Sequence, residues 1–151
     1  MTQEFLTANT EETERLGAAF AKHLRPGDAV AFFGGLGAGK TAFVRGLAAG
    51  LGCEGEVSSP TYALVHEHPG PVPLAHFDMY RVEGPDELES TGYYDYLDRE
   101  FVLAVEWSEH ILEALPEDCW RVRIEAVQGQ EDGRKISISG RCPVEEEEVR
   151  A

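Results

Sequence analysis

Ala29-Val30-Ala31-Phe32-Phe33-Gly34-Gly35-Leu36-Gly37-Ala38-Gly39-Lys40-Thr41 is the stretch on which the fold turns. From Gly34 it fits G-x-x-x-x-G-K-[ST], the phosphate-binding loop of nucleotide hydrolases and kinases. An apolar run leads into it, and a helical pattern leads out: Phe43, Leu47 and Leu51 recur, with Ala42, Ala48 and Ala49 between them. The context is therefore strand, glycine turn, helix, which the motif needs before it carries meaning. Glycines let the backbone turn tightly and aim its N–H groups at phosphates. The helix N-terminus adds a positive end. Lys40 would reach the β- and γ-phosphates, and the Thr41 hydroxyl would hold magnesium.

Composition narrows what surrounds this loop. With 151 residues, 42% of them hydrophobic, the chain suits one soluble globular domain with its own core. Thirteen Lys and Arg against 28 Asp and Glu give a net charge of −15. Nucleic-acid binding is largely phosphate neutralisation, so broad electrostatic binding to RNA or anionic membrane is disfavoured. A local basic patch is still compatible with this charge. Cys53, Cys119 and Cys142 are odd in number and form no zinc or redox spacing, which suits a reducing compartment. No apolar stretch approaches membrane-spanning length and the N-terminus lacks a signal-peptide core, so a cytoplasmic location is expected. The domain is read over residues 1–144, with 145–151 as an acidic tail built on Glu145–Glu148.

Before the loop, Asn9 caps a predicted helix, with Glu12 three residues on to complete a capping box. Leu16, Ala19, Phe20 and Leu24 then form one buried stripe, and Arg25-Pro26-Gly27-Asp28 is a turn. This helix covers one sheet face or folds back near the nucleotide base. Beyond the loop, Gly50 and Gly52 mark the end of the second helix. The segment Glu56-Val57-Ser58-Ser59-Pro60-Thr61-Tyr62 follows. Its crowded hydroxyls either cap backbone groups or sense phosphate, metal-bound water or the attacking water. Tyr62 to Val65 reads as a strand leading to His66-Glu67-His68, and Pro69-Gly70-Pro71 as the turn of a hairpin. The two histidines share a strand face, but no third ligand lies near, so a hairpin edge is the better reading than a metal pair.

Two apolar strands then deliver carboxylates at their C-terminal ends. Val72 to Phe77 ends at Asp78, the arrangement in which an aspartate reaches the magnesium sphere opposite Thr41. Phe101-Val102-Leu103-Ala104-Val105 ends at Glu106-Trp107 and repeats it. Open α/β sheets bind ligands at these strand ends. One carboxylate would position the metal or its water and the other would orient or deprotonate the nucleophile. Arg81 contacts phosphate or substrate, or pairs with a surface carboxylate. Between the strands, Gly84-Pro85 opens a helix that Gly92 ends. Tyr93, Tyr94, Tyr96 and Leu97 make an aromatic segment that suits packing or a protein contact better than base stacking. Ile111, Leu112 and Leu115 suggest a short helix stopped by Pro116. Trp120–Ile124 and Lys135–Ser139 alternate as an antiparallel pair, placed at the sheet edge.

A phosphate loop, a divalent ion and two strand-end carboxylates point first to NTP hydrolysis. A small kinase shares the loop, but arginines for a lid are sparse: Arg45, Arg81 and Arg99. No Asn-Lys-x-Asp segment is present to read guanine. A nucleotide-switched binding module is the third option.

Taken together, Gly34–Thr41, Ser58-Ser59-Pro60-Thr61-Tyr62, His76-Phe77-Asp78-Met79-Tyr80-Arg81, Glu87-Leu88-Glu89 and Val105-Glu106-Trp107-Ser108 resemble the bacterial TsaE (YjeE) family. These are the P-loop ATPases of tRNA threonylcarbamoyladenosine biosynthesis. The resemblance implies an α/β P-loop NTPase fold: a mostly parallel central sheet, flanking helices and antiparallel edge strands. It implies magnesium-dependent ATP hydrolysis in support of TsaD and TsaB, which transfer threonylcarbamoyl to adenosine 37 of tRNA; tRNA is met only through that complex. It implies catalytic roles for Lys40, Asp78 and Glu106, and magnesium held by Thr41, Glu106 and Asp78. ATP would be bound by Gly35, Leu36, Gly37, Ala38, Gly39, Lys40, Thr41 and Ala42, with Thr61 in a switch-like loop. Trp107 would lie close to the nucleotide, and the region around Thr10 near its base. Gly35, where the family commonly has an acidic residue, and Ala42, where a second threonine is usual, depart from the pattern.

Overall fold

The structure is a computed structural model, and it describes residues 2–34, 39–53 and 65–140. The expectations placed on Gly35–Ala38, Ser58–Tyr62, Cys142 and the acidic tail lie outside those residues.

The chain runs β1 (Thr2–Thr7), α1 (Thr10–Ala21), β2 (Ala29–Phe33), α2 (Lys40–Gly50), β3 (Val65–His68), β4 (Leu74–Asp78), α3 (Pro85–Ser90), α4 (Tyr93–Leu97) and β5 (Val102–Glu106). A 3₁₀ segment, Ser108–Ala114, then leads to β6 (Trp120–Ala126) and β7 (Arg134–Ser139). All strands join one sheet in the order β1-β7-β6-β2-β5-β4-β3. The centre is parallel: β2 lies between β5 and β6, and β4 pairs with β5. Antiparallel strands finish both sides, β7 and β1 beyond β6, and β3 beyond β4.

This order corrects one detail of the sequence reading. The β6–β7 hairpin is not the margin of the sheet. β6 pairs in parallel with the P-loop strand, and β1, which local pattern does not announce, closes that side.

The parallel strands are buried on both faces, as parallel sheets require. Val30 and Phe32 of β2, with Val102, Ala104, Val122 and Ile124, meet Leu16, Phe20, Phe43, Val44 and Leu47 of α1 and α2. Phe43 sits between Phe32 and Phe20, with ring centres 5.6 and 5.8 Å away. The opposite residues, Ala31 and Phe33 with Phe77, Leu103 and Val105, meet Met79, Val82, Leu88, Tyr93 and Ile111. The aromatic segment therefore packs. Tyr93 is fully buried and its hydroxyl donates to the Ala114 carbonyl at 3.0 Å. Burial pushes the Tyr93 hydroxyl pKa up.

Local signals do what their chemistry dictates. The Asn9 side chain accepts from Glu12 N–H at 2.9 Å, and the Glu12 carboxylate accepts from Ala8 N–H at 3.0 Å. The turn before β2 is closed by Asp28, whose carboxylate accepts from Arg25 N–H at 2.9 Å. Cys53 and Cys119 are free thiols, and burial raises the pKa of each.

Candidate nucleotide and metal site

The site forms where β2, β4 and β5 end. After Phe33 the chain leaves β2 through Gly34, with φ of 125°. A side chain there would be strained, and its Cβ would lie 2.2 Å from the Ile124 carbonyl oxygen. The loop rejoins regular structure at Gly39, φ 90°, which caps α2. Lys40 is the first residue of α2, Thr41 the second and Ala42 the third.

Lys40 is buried, 3% exposed, and its ammonium lies 4.8 Å from the centre of the Trp107 ring. Such a cation over an indole face is stabilised by about 0.5–2 kcal/mol, depending on desolvation. Trp107 has φ 59° and ψ 40°, a left-handed backbone that a bulky residue rarely adopts. Strain of this kind costs about 1–3 kcal/mol and collects at functional sites. The next residue anchors the bend, because Ser108 Oγ donates to the Val105 carbonyl at 2.8 Å in the core. Tyr80 and His110 flank the indole, with ring centres 4.9 and 5.7 Å from it. His110 Nδ1 lies 3.0 Å from the Met79 carbonyl oxygen, which ties this aromatic group to the turn after β4.

Asp78 and Glu106 are register partners at the ends of adjacent parallel strands. The pairing continues one step further, with Met79 N–H donating to the Glu106 carbonyl at 3.0 Å. Asp78 is half-buried and its carboxylate accepts from Tyr80 N–H at 2.9 Å. Glu106 is buried, and its Oε2 lies 2.5 Å from His76 Nε2. A carboxylate can only accept, so the histidine donates from Nε2. Among the described residues no second hydrogen bond to the Glu106 carboxylate is seen. A buried carboxylate with one hydrogen-bond partner has acceptor capacity left, which a cation would take up. With the Thr41 hydroxyl and the Asp78 carboxylate, the donors are hard oxygens. That set fits magnesium, which takes one or two carboxylates and keeps water and phosphate as its other ligands. It is not a closed protein cage: among the described residues no cluster of three or more His, Cys, Asp or Glu could enclose a metal.

Several expected residues are placed less decisively. Thr10 is exposed at the start of α1. Three residues earlier, Thr7 pairs with Arg134 of β7. Arg134 was not anticipated. A Cβ added at Gly39 would meet its side chain at 3.2 Å, so Arg134 lies along the end of the loop. Its Nη1 donates to the carbonyls of Glu131 and Gly133, while its Nε is buried without a partner among the described residues. The available signal was an Arg134-Lys135 pair following Glu131-Asp132-Gly133 at the head of the last strand. Arg81 is exposed and forms no ion pair with the described residues. His66 and His68 lie on edge strand β3, as expected, and His68 is buried.

A glycine turn from a central parallel strand into a lysine-led helix, with two carboxylates on neighbouring strand ends, defines a P-loop NTPase. Comparison with known proteins narrows this class. The family model described as "Threonylcarbamoyl adenosine biosynthesis protein TsaE" matches residues 7–136. The tRNA threonylcarbamoyladenosine biosynthesis protein TsaE of Bacillus subtilis is 40% identical over 134 residues, covering 88% of this chain and 82% of that protein. The TsaE of Streptomyces coelicolor is 43% identical over 132 residues, covering 83% and 88%. A crystal structure of YdiB from Bacillus subtilis superposes with a TM-score of 0.73 at 31% identity, covering 99% of this chain and 90% of that one. The chain belongs to the TsaE family, the P-loop ATPases of threonylcarbamoyl adenosine biosynthesis. No helix among the described residues is long and apolar enough to cross a membrane.

Proposed function

We propose that this chain binds ATP with magnesium and hydrolyses it to support a TsaD–TsaB pair in threonylcarbamoyl transfer to tRNA. The observation that carries this reading is the register pairing of Asp78 with Glu106 beside the β2 exit that leads to Lys40. Magnesium, when bound, offsets charge on the β- and γ-phosphates. Thr41, Glu106 and Asp78 are the residues to hold it. Lys40 leaves the Trp107 face and meets the phosphates, together with the backbone N–H groups of Gly35–Thr41 and Ala42. Asp78 or Glu106 orients the attacking water, and their separate duties are open to substitution. Arg134 and the Thr10 region flank the nucleotide from the β7 side, and Thr61 belongs to a phosphate-sensing loop. The working unit is one domain, residues 1–144, with 145–151 as an acidic tail.

The net charge of −15 supports the division of labour. A protein this acidic binds polyanions poorly, so the partner pair holds the tRNA. A cytoplasmic setting suits the reading, and the free thiols Cys53 and Cys119 agree with it. The test is ATP turnover by the purified chain with and without the TsaB–TsaD pair. Turnover that rises on adding the pair supports the proposal. Turnover indifferent to the pair counts against the partnership, and phosphoryl transfer to a metabolite would replace hydrolysis as the activity.

A further inference from the structure

His76 lies in the middle of β4, fully buried, where an apolar residue would pack at lower cost. Its Nδ1 is buried and has no hydrogen-bond partner among the described residues. An unmade hydrogen bond on a buried polar atom costs about 1–3 kcal/mol. A ring that accepts this cost is kept for what its other nitrogen does, and Nε2 bonds Glu106 Oε2 at 2.5 Å.

The sheet explains why a histidine is needed for the contact. The register partner of His76 across the β4–β5 pair is Ala104, and Glu106 is the partner of Asp78 two positions on. The bond is therefore diagonal. With a rise of about 3.3 Å per residue and strands about 4.8 Å apart, diagonal neighbours on one face stand roughly 8 Å apart, within reach of long or ring side chains. Ala104 offers a small side chain along the path, and the imidazole spans the distance. By strand alternation His76, Asp78, Ala104 and Glu106 share the sheet face against which α1 and α2 pack.

We propose that His76 is a positioning residue for magnesium: it fixes the rotamer of Glu106 so that the second carboxylate oxygen faces the metal. This rests on the reading of Glu106 as a metal-sphere carboxylate. His76 itself touches neither nucleotide nor metal. Its Nε2–H occupies one oxygen and leaves the other as the acceptor that a cation completes. Hydrogen bonds that orient a first ligand are worth about 10–100-fold in metal affinity.

The test compares His76→Leu, His76→Gln, His76→Asn and Glu106→Gln with the unmodified chain. ADP binding is measured by calorimetry across a magnesium titration and again in EDTA. Gln places an amide N–H near the position of Nε2, whereas Asn falls a methylene short. The proposal expects His76→Leu and His76→Asn to raise the half-saturating magnesium concentration about 10–100-fold. It expects ADP affinity in EDTA to be unchanged, and His76→Gln to restore most of the magnesium response. If His76→Leu does not fold, the Asn and Gln pair decides: equal magnesium responses from the two overturn the proposal. A wild-type response in His76→Leu, with that of Glu106→Gln lost, overturns the positioning role and leaves Glu106 as a ligand. A wild-type response in Glu106→Gln removes the metal reading itself, and this inference with it.

Discussion

The Lys40 ammonium rests 4.8 Å above the Trp107 ring, joining the first residue of the P-loop helix to the residue after the β5 carboxylate. Both ends of this contact are held by the fold. Lys40 is buried at the head of α2, and Trp107 is fixed in a left-handed bend by the Ser108–Val105 hydrogen bond. The lysine thus waits on an aromatic face worth about 0.5–2 kcal/mol, which phosphate charge readily outbids.

Lys40→Ala removes the positive side chain from the phosphate site. A charge-assisted hydrogen bond contributes about 1.5–3 kcal/mol, so ATP affinity should fall at least about tenfold and up to about a hundredfold. Calorimetric titration of the folded mutant checks this, and unchanged affinity would sink the assignment. The same mutation strips the cation from Trp107. Its emission without nucleotide should therefore shift, while the buried Trp120 supplies an unaltered background.

Gly34→Ala tests the loop geometry in a different way. The backbone φ of 125° disfavours any side chain, and the new Cβ would meet the Ile124 carbonyl at 2.2 Å. Strain alone is worth about 1–3 kcal/mol. The melting temperature should fall by roughly 5–10 °C, on the scaling for a domain of this size. Nucleotide binding should weaken as well, because β6 is the neighbour that must yield. Differential scanning calorimetry checks the first outcome, and a melting point within a degree of wild type would contradict the loop as described.

What could be read in advance follows the range of each interaction. The β2 and β5 runs, the Asn9–Glu12 cap and the strand-end positions of Asp78 and Glu106 depend on residues close in the chain, and pattern suffices for them. β1 escaped because Phe5 and Leu6 break its alternation, and Leu6 remains 77% exposed. Only its ladder with β7 makes it a strand. The inner place of β6 escaped because alternation shows that β6 pairs with β7 but not which strand lies on its other side. The His76–Glu106 bond and the approach of Arg134 to Gly39 depend on register between distant segments. In a sheet, register is set by the whole set of strands.

Asp78→Asn and Glu106→Gln separate chemistry from folding. Each keeps size and removes charge. A positioned acid or base contributes about 10²–10⁴-fold, so partner-stimulated ATP turnover should fall by that order in at least one of the two. Thermal melting should change little for Asp78→Asn, since Asp78 is half-buried and bonds only Tyr80 N–H among the described residues. Full turnover in both mutants would show that the strand-end carboxylates do not serve the reaction.

His68 offers a pH test away from the nucleotide. It is 7% exposed on β3, and its Nε2 has no hydrogen-bond partner among the described residues. Burial first, and then the neighbouring His76 and His66, hold its pKa below the ordinary 6.5. The unfolded chain therefore takes up a proton at His68 more readily than the fold does. By linkage, the stability from neutral His68 is fully present above pH 6.5 and is lost as pH falls from there through the lowered folded pKa. Protonation would also leave an N–H without an acceptor in the core. Melting temperatures measured from about pH 7.5 to 5.5 stay above the ordinary carboxylate range. His68→Leu should lose less stability over that interval than the unmodified chain, since the other histidines are common to both. An equal or larger acid loss in the mutant would show that His68 is not among the groups that make the fold acid-sensitive.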